Sequence, residues 1–369
     1  MKHILIDFGI PFRFTKTGLY NYNVTLAKYI TKYQDKFKIL YLKDVYFFSQ
    51  IYGFIGKLLY IIWLNLFLPF YIKKYKIELI HFTNYLIPFI PLPVESIVTI
   101  HDLRSLNHEV RERKCITLYR IYRKIIILNS LKRATKIIAI SKHTHNDIIK
   151  NYGKKYENKI EIIPLGIESC EEMKDQSFDD YYSNYGVIKY KYIIMPGPLA
   201  PRKNHSDAIL MFFKHKDYFQ KRKIKLVIMG SGKMERNLRK LIVQLKLKED
   251  IIMTGYIPKE HLFCLYRYAM AGLFLSSYEG FGLPILEMLL MKVIPVMSDN
   301  TSIREASGGI GYFIKTHSID EIFERIVYIL EHKDEINILK EKGVIYASKH
   351  TWQLTIDKTV ALYEELLSM

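Results

Sequence analysis

Residues 276–287 read Ser276-Ser277-Tyr278-Glu279-Gly280-Phe281-Gly282-Leu283-Pro284-Ile285-Leu286-Glu287. The apolar run before it, residues 271–275, predicts a buried parallel strand. That strand delivers the Glu279 carboxylate into a turn loosened by Gly280 and Gly282. Pro284 stands where a helix begins, because the N–H it lacks is one that a first turn leaves unpaired anyway. Glu287 follows one turn into that helix. A strand that ends in a Gly-rich turn and a helix N-terminus is an anion site, yet two carboxylates would repel a bare phosphate. The pair suits a ligand with hydroxyls around its anionic part, a sugar and a ribose flanking a diphosphate. Read alone, the pair also fits two solvated acids on an ordinary strand–helix turn.

Glu279 and Glu287, with seven residues between them around Gly-Phe-Gly-Leu-Pro, resemble the E-x7-E signature of retaining glycosyltransferases of family 4. Those enzymes have the GT-B fold and take their sugar from a nucleotide donor. The resemblance implies an α/β chain of two Rossmann-like, doubly wound domains facing a central cleft. It places Glu279 on the transferred sugar and Glu287 on the ribose hydroxyls, with Gly280, Phe281, Gly282 and Leu283 lining the donor.

Other segments extend the resemblance over nearly the whole chain. A strand at 192–195 leads into Pro196-Gly197-Pro198-Leu199-Ala200-Pro201-Arg202-Lys203-Asn204-His205 and then a helix. Two adjacent cations in such a turn form a diphosphate clamp, Arg giving a fork of donors and Lys a point charge. The segment looks like the family's "G-x-x-x-x-R-K-N" motif, which implies donor contacts for Gly197, Arg202, Lys203 and Asn204. Residues 225–232 end in Gly230-Ser231-Gly232, glycines that either admit the nucleotide or satisfy a tight turn. Residues 251–262 resemble a segment whose backbone lies beside the base, which brings in Tyr256 and Ile257. Earlier in the chain, the strand at 96–100 delivers His101 and Asp102. By residue type alone His101 is a core histidine and Asp102 a helix cap; the resemblance of residues 97–103 to "v-T-x-H-D-l" makes both candidates for the reacting centre. Thr17-Gly18-Leu19-Tyr20 looks like the turn at which polysaccharide mannosyl- and rhamnosyltransferases bring a glycine, here Gly18, close to the donor. The same first strand and turn carry no G-x-G-x-x-G, which argues against a nicotinamide enzyme.

Composition narrows the partners. The chain carries +18, and residues 1–150 hold 24 basic against 9 acidic residues, so they carry +15 of it. A basic first half calls for an anionic partner. No nucleic-acid-binding module is recognisable, and nucleic acid is not expected. Residues 111–136 combine nine basic residues and one acid with an apolar stripe, Leu118, Ile121, Ile125 and Leu128. Such a helix either lies on anionic lipid or turns its stripe toward its own domain. Residues 58–72 are the most hydrophobic stretch, too short to span a bilayer and interrupted by Asn65 and Pro69; a core helix is expected there, with attachment at a membrane interface as the alternative. Cys115, Cys170 and Cys264 have no metal-site or disulfide spacing, and no D-x-D metal-nucleotide pattern stands out.

The expected organisation is an acceptor-binding domain over 1–170 and a nucleotide-sugar domain over 171–348, with a linker at 171–186. A final helix over 349–369 is expected to pack on the first domain. Helices expected at 320–342 end at Gly343. The expected activity is metal-independent, retaining transfer of a sugar from a GDP-, UDP- or dTDP-linked donor to a glycan or lipid-linked acceptor. Surface polysaccharide assembly, in the cytoplasm at the inner face of the cell membrane, is the expected setting, without a cofactor. The alternatives are a sugar-nucleotide epimerase or phosphorylase on the same fold, and a non-catalytic donor-binding protein.

Overall fold

The computed structural model describes all residues except 10–17, 43–53, 108–115, 169–181, 183–184, 316 and 369. The described residues separate into two units, one drawn from 1–107, 113–166 and 352–369, the other from 167–351.

The first unit is built on six parallel strands, β1 (Lys2–Asp7), β2 (Phe37–Tyr41), β3 (Leu79–Phe82), β4 (Glu95–Ile100), β5 (Lys136–Ala139) and β6 (Ile160–Ile162). Their spatial order is β2-β1-β3-β4-β5-β6. Ile4, Leu5, Ile6, Ile97, Val98 and Ile100 are buried without remainder, the uninterrupted apolar reading of a parallel strand covered on both faces. The covering helices are α1 (Gly18–Ile30), α2 (Phe54–Leu66), α3 (Leu68–Tyr75), α4 (Ile116–Arg133) and α5 (Lys142–Tyr152). Ser141 caps α5 by accepting from Thr144 N at 3.0 Å.

Six more parallel strands make the second unit: β7 (Tyr192–Pro196), β8 (Lys225–Met229), β9 (Ile251–Gly255), β10 (Ala271–Phe274), β11 (Pro295–Ser298) and β12 (Tyr312–Ile314). Around them run α6 (His205–Lys214), α7 (Lys216–Arg222), α8 (Glu235–Gln244), α9 (Lys259–Arg267), α10 (Leu283–Leu290), α11 (Ile303–Ser307), α12 (Ile319–Glu331) and α13 (Lys333–Ala347). The spatial order is β12-β11-β10-β7-β8-β9. The first strand, β7, thus lies between β8 and β10, and the winding reverses between β7 and β10. Sheets of this kind bind ligands beyond the carboxyl ends of the strands at that reversal.

The last helix, α14 (Trp352–Ser368), belongs to the first unit. Tyr363 packs edge-on against Phe37, and its hydroxyl meets His81 Nδ1 at 2.6 Å. Thr355 Oγ1 donates to Pro164 O at 2.8 Å.

Two local expectations need correction, and the orientation left open for the stripe in residues 111–136 is decided. Residues 58–72 are not one core helix: α2 ends at Leu66 and α3 starts at Leu68. Tyr60, Leu64, Leu68 and Ile72 are buried while Leu58, Ile62, Leu66, Phe67 and Phe70 are exposed, because the run is apolar all round and the sheet covers only one side of it. In α4, Leu118, Ile121 and Ile125 face outward while Leu128 is half-buried against the core, and the buried face is Arg123, Ile126, Ile127, Ser130 and Leu131. Gly343 does not stop a helix but sits inside α13, where a Cβ would meet Leu289 Cδ2 of α10 at 3.1 Å; close helix packing explains it.

Candidate active site

The turn after β7 and the turn after β10 flank the reversal of the second sheet, and hydrogen bonds knit them together. Ser277 N donates to Arg202 O at 2.8 Å. Asn204 Nδ2 donates to Leu275 O, also at 2.8 Å. Asn204 holds a left-handed conformation, φ 53°, as it leads into α6, and Asn is one of the few non-glycine residues that adopts it readily. Behind this turn the chain after β8 makes backbone contact: a Cβ on Gly230 would lie 2.1 Å from Gly197 O.

These constraints bring three charges to one point. Arg202 Nη1 lies 2.5 Å and Lys203 Nζ 2.8 Å from Glu279 Oε1. Ser276 Oγ donates to the same oxygen at 2.6 Å. Every one of these contacts falls on Oε1. Burial opposes the Glu279 charge, but Lys203 and Arg202 together outweigh it and hold its pKa down at about 2. Glu279 is therefore an anion at any physiological pH and is no proton donor. Lys203 is itself buried, with its ammonium 4.3 Å from the centre of the Phe274 ring.

The Glu279 turn is braced from the segment after β11. Glu279 N donates to Thr301 Oγ1 at 3.1 Å, and that hydroxyl donates to Asn300 Oδ1. Asn300 Nδ2 donates to Ser276 O at 3.0 Å. Ser302 Oγ reaches Glu279 O and Phe281 O at 3.0 and 2.8 Å. Thr301 has φ 47°, a strained conformation for a β-branched residue. Ser276, Asn300, Thr301 and Ser302 were not foreseen as site residues. Their only sequence signal is a polar run following a buried strand.

Glu287 lies in α10 and accepts from Tyr266 OH at 3.3 Å. Gly282, φ 117°, turns the chain into that helix, with Leu283 at its start and Phe281 buried beneath it. Gly280 is half-buried. Tyr256 is exposed and Ile257 buried just beyond β9, whose end is tied to the β8 turn by Gly230 N donating to Gly255 O at 2.7 Å. The structure thus brings Arg202, Lys203 and Glu279 into direct contact, ties Asn204 to the Leu275 carbonyl beside them and sets Gly197 and Gly230 behind. His205, also unforeseen, is buried, and neither ring nitrogen has a hydrogen-bond partner. Burial, then Lys203 and Arg202, push its pKa down to about 3, so the ring is neutral.

In the first unit, His101 follows β4 and its Nε2 lies 2.9 Å from Thr83 O. A carbonyl only accepts, so Nε2 carries the proton and Nδ1 is the lone-pair nitrogen of the neutral ring. Burial pushes the His101 pKa down, which favours that neutral form. Tyr22 of α1 stands edge-on to the ring, centroids 4.9 Å apart. Asp102 Oδ1 accepts from Arg104 N at 3.1 Å, opening a short turn of 3-10 helix. Gly18 is exposed at the start of α1, and a Cβ there would meet nothing within 4 Å; Thr17 lies outside the described residues. Two strands away, Asp7 ends β1, buried, accepting from Gly9 N and from the Tyr60 hydroxyl. Burial lifts its pKa to about 6. Among the described residues, no three His, Cys, Asp or Glu side chains gather into a metal-ligating group.

Comparison with known proteins agrees with this geometry. The family described as "Glycosyltransferase Family 4" matches residues 24–169, and "Glycosyl transferases group 1" matches residues 185–345. The chain belongs to the family 4 glycosyltransferases and has the two-domain GT-B fold. It is 24% identical over 306 residues to the O-antigen chain mannosyltransferase B of Escherichia coli, covering 80% of this chain and 76% of that one. With the O-antigen chain mannosyltransferase RfbU of Salmonella typhimurium it shares 23% over 210 residues, 57% of this chain and 54% of the relative. Among solved structures, sucrose-phosphate synthase from Thermosynechococcus elongatus aligns with a TM-score of 0.78 over the full length of both chains at 14% identity. HepE of Anabaena, in complex with UDP and glucose, aligns over the full length of both with a TM-score of 0.73 at 16% identity.

Proposed function

We propose that the chain transfers a sugar, with retention, from a nucleotide-diphosphate sugar to a glycan or lipid-linked acceptor in surface polysaccharide synthesis. What carries the reading is the set of Arg202, Lys203 and Glu279 at the reversal of the second sheet, Lys203 buried and the other two half-buried. In this reading the Arg202 fork and the Lys203 ammonium take up charge on the diphosphate as the glycosidic bond breaks, the kind of preorganised stabilisation that dominates many enzymes. Two fixed cations do here what a metal does elsewhere, so transfer needs no metal. Glu279, permanently ionised, accepts from the sugar hydroxyls through Oε2, while Oε1 stays with the cations. Glu287 takes the ribose hydroxyls. His101, through Nδ1, and Asp102 serve the sugar and the acceptor hydroxyl.

The relatives named O-antigen mannosyltransferases favour mannose as the transferred sugar and a polysaccharide repeat as the product. GDP-mannose is therefore the first donor to offer, ahead of UDP- and dTDP-linked sugars. A Campylobacter jejuni relative, 26% identical over 211 residues, bears a diphospho-undecaprenol acceptor in its name, which favours a lipid-linked acceptor here as well. No helix among the described residues is long and apolar enough to cross a membrane, and we place the enzyme at the inner membrane surface by its acceptor. The test is a panel of labelled GDP-, UDP- and dTDP-sugars with polyprenyl-diphosphate-linked acceptors, in the presence of EDTA. Transfer with an unchanged anomeric configuration, abolished in Glu279→Ala, is expected. Isomerised donor without acceptor-linked product, or a metal requirement, would overturn the corresponding part.

A further inference from the structure

We infer that the first unit seats on an anionic lipid surface through one apolar face made by the α2–α3 corner, residues 89–90 and the outer row of α4. This deepens the reading above, and rests on it for the membrane-borne acceptor.

The face is assembled from three pieces. In α2, Leu58, Ile62 and Leu66 recur every fourth residue on the side away from the sheet, and all are exposed. The chain then breaks at Phe67, and Phe67 and Phe70, the latter 74% exposed, project at the corner into α3. Phe89 and Ile90, also exposed, are pinned beside this corner by one side chain: Asn65 Oδ1 accepts from Phe89 N at 2.8 Å and from Ile90 N at 3.2 Å. The third piece follows directly. Asn129 Nδ2 of α4 donates to Ile87 O and Pro88 O at 3.3 and 3.0 Å, and Arg123 of α4 stacks on Tyr85, 3.5 Å from the ring centre. The exposed row of α4, Leu118 (79% exposed), Ile121, Tyr122 and Ile125, has the spacing of a single helix face.

Exposed apolar side chains gathered on elements tied together in this way mark an interaction site. Charge decides the occupant. Lys73, Lys74, Lys76, Lys124, Lys132 and Arg133 are exposed around these pieces. Neither the pair α2–α3 nor α4 contains an acidic residue. A polar protein partner would be met by hydrogen-bonding and mixed-charge groups. Exposed aromatic and aliphatic side chains on helices whose charges are all basic match the headgroup–acyl boundary of an anionic leaflet, where the apolar groups insert and the cations remain with the phosphates.

The experiment is co-sedimentation of the full chain with vesicles of phosphatidylcholine alone and of phosphatidylcholine with phosphatidylglycerol, at physiological salt. The side chains to be changed are exposed, so Phe67→Glu/Phe70→Glu and Ile121→Glu/Ile125→Glu should fold normally, as unchanged melting and unchanged GDP and UDP affinity at the second unit would confirm. The wild type is expected to bind only the phosphatidylglycerol vesicles, and each double variant to lose at least about tenfold in partitioning. Lys73→Gln/Lys74→Gln should weaken binding and flatten its salt dependence. Wild-type partitioning of both Glu variants would overturn the inference. So would a wild type that ignores vesicles but forms a dimer which those variants dissociate, since the face would then belong to a second copy. Transfer to a water-soluble acceptor separates the two readings: its loss with vesicle binding intact counts against the proposed activity, not against the docking face.

Discussion

Lys203 Nζ lies 2.8 Å from Glu279 Oε1, and the two residues reach that point from turns on either side of the reversal in the second sheet. The contact is a consequence of winding. β7 is the central strand, β10 is the first strand laid down on its other side, and only the loops at this reversal diverge enough to leave room for a ligand. Lys203 is buried and Glu279 half-buried, and an ion pair so shielded from water stabilises little in net terms but is costly to break from one side.

Breaking it from its two sides should have opposite effects on nucleotide binding. Lys203→Gln removes a cation that faces the diphosphate, and affinity for GDP or UDP should fall by about tenfold or more. Glu279→Gln removes an anion from the same place, so the affinity should hold or rise, while transfer falls by about a hundredfold or more. Isothermal titration of both variants, paired with turnover, checks this. Parallel losses of nucleotide affinity in both would refute the assigned division of labour.

Glu279 should also leave a mark on acid stability. Its pKa is held at about 2 in the fold against an ordinary value of 4.5. A depressed carboxylate contributes stability that is complete above the unfolded value and drains away as pH falls toward the folded one. A contribution of about 3 kcal/mol should therefore be lost between pH 4.5 and about 2. Urea unfolding across that window should show the slope in the wild type and a shallower one in Glu279→Gln.

What could be read from the sequence follows from how local each feature is. The strands, the turn at Gly280–Gly282 and the cation pair each lie within a dozen consecutive residues, and period and turn chemistry expose them. The bracing of Glu279 by Thr301 and Ser302 depends on β11 lying beside β10, a pairing that no residue announces. Orientation of an apolar stripe is similarly hidden. Residues 118–125 have helical spacing whichever way the stripe points, and only the packing of Ile126, Ile127 and Leu131 shows that it points out. Asp7 escaped notice because a lone acid at the end of a strand is unremarkable until Tyr60, from a helix beyond the next strand, is placed on it.

Asp7 gives the reverse pH signature. Burial lifts its pKa from 3.8 to about 6, against the smaller opposing pull of the bonds from Tyr60 and Gly9. A raised carboxylate pKa means the fold prefers the protonated form, so stability is fullest below the unfolded value and is lost as pH rises through the folded one. Relative to Asp7→Asn, the wild type should lose about 3 kcal/mol between pH 3.8 and about 6. The variant should accordingly gain on the wild type at neutral pH and not at pH 4. Differential melting in buffers spanning this range measures it, and pH-independent differences would contradict the assignment.

Gly230 and Gly18 stand at opposite extremes of steric constraint. At Gly230 a Cβ would fall 2.1 Å from Gly197 O, and φ is +122°. An alanine there is strained in its own backbone and pushes on the turn that carries Arg202 and Lys203. Gly230→Ala should cost about 2–4 kcal/mol and weaken nucleotide binding together with stability. Gly18 has neither constraint: it opens α1 with space around it. Gly18→Ala should leave melting unchanged or raise it, since alanine restricts the unfolded chain. If a glycine is needed at residue 18 so that a donor can approach closely, the same variant should still lose transfer, a loss with no counterpart in stability. Calorimetric melting and turnover on both variants separate the cases, and a fully active Gly18→Ala would remove Gly18 from the donor site.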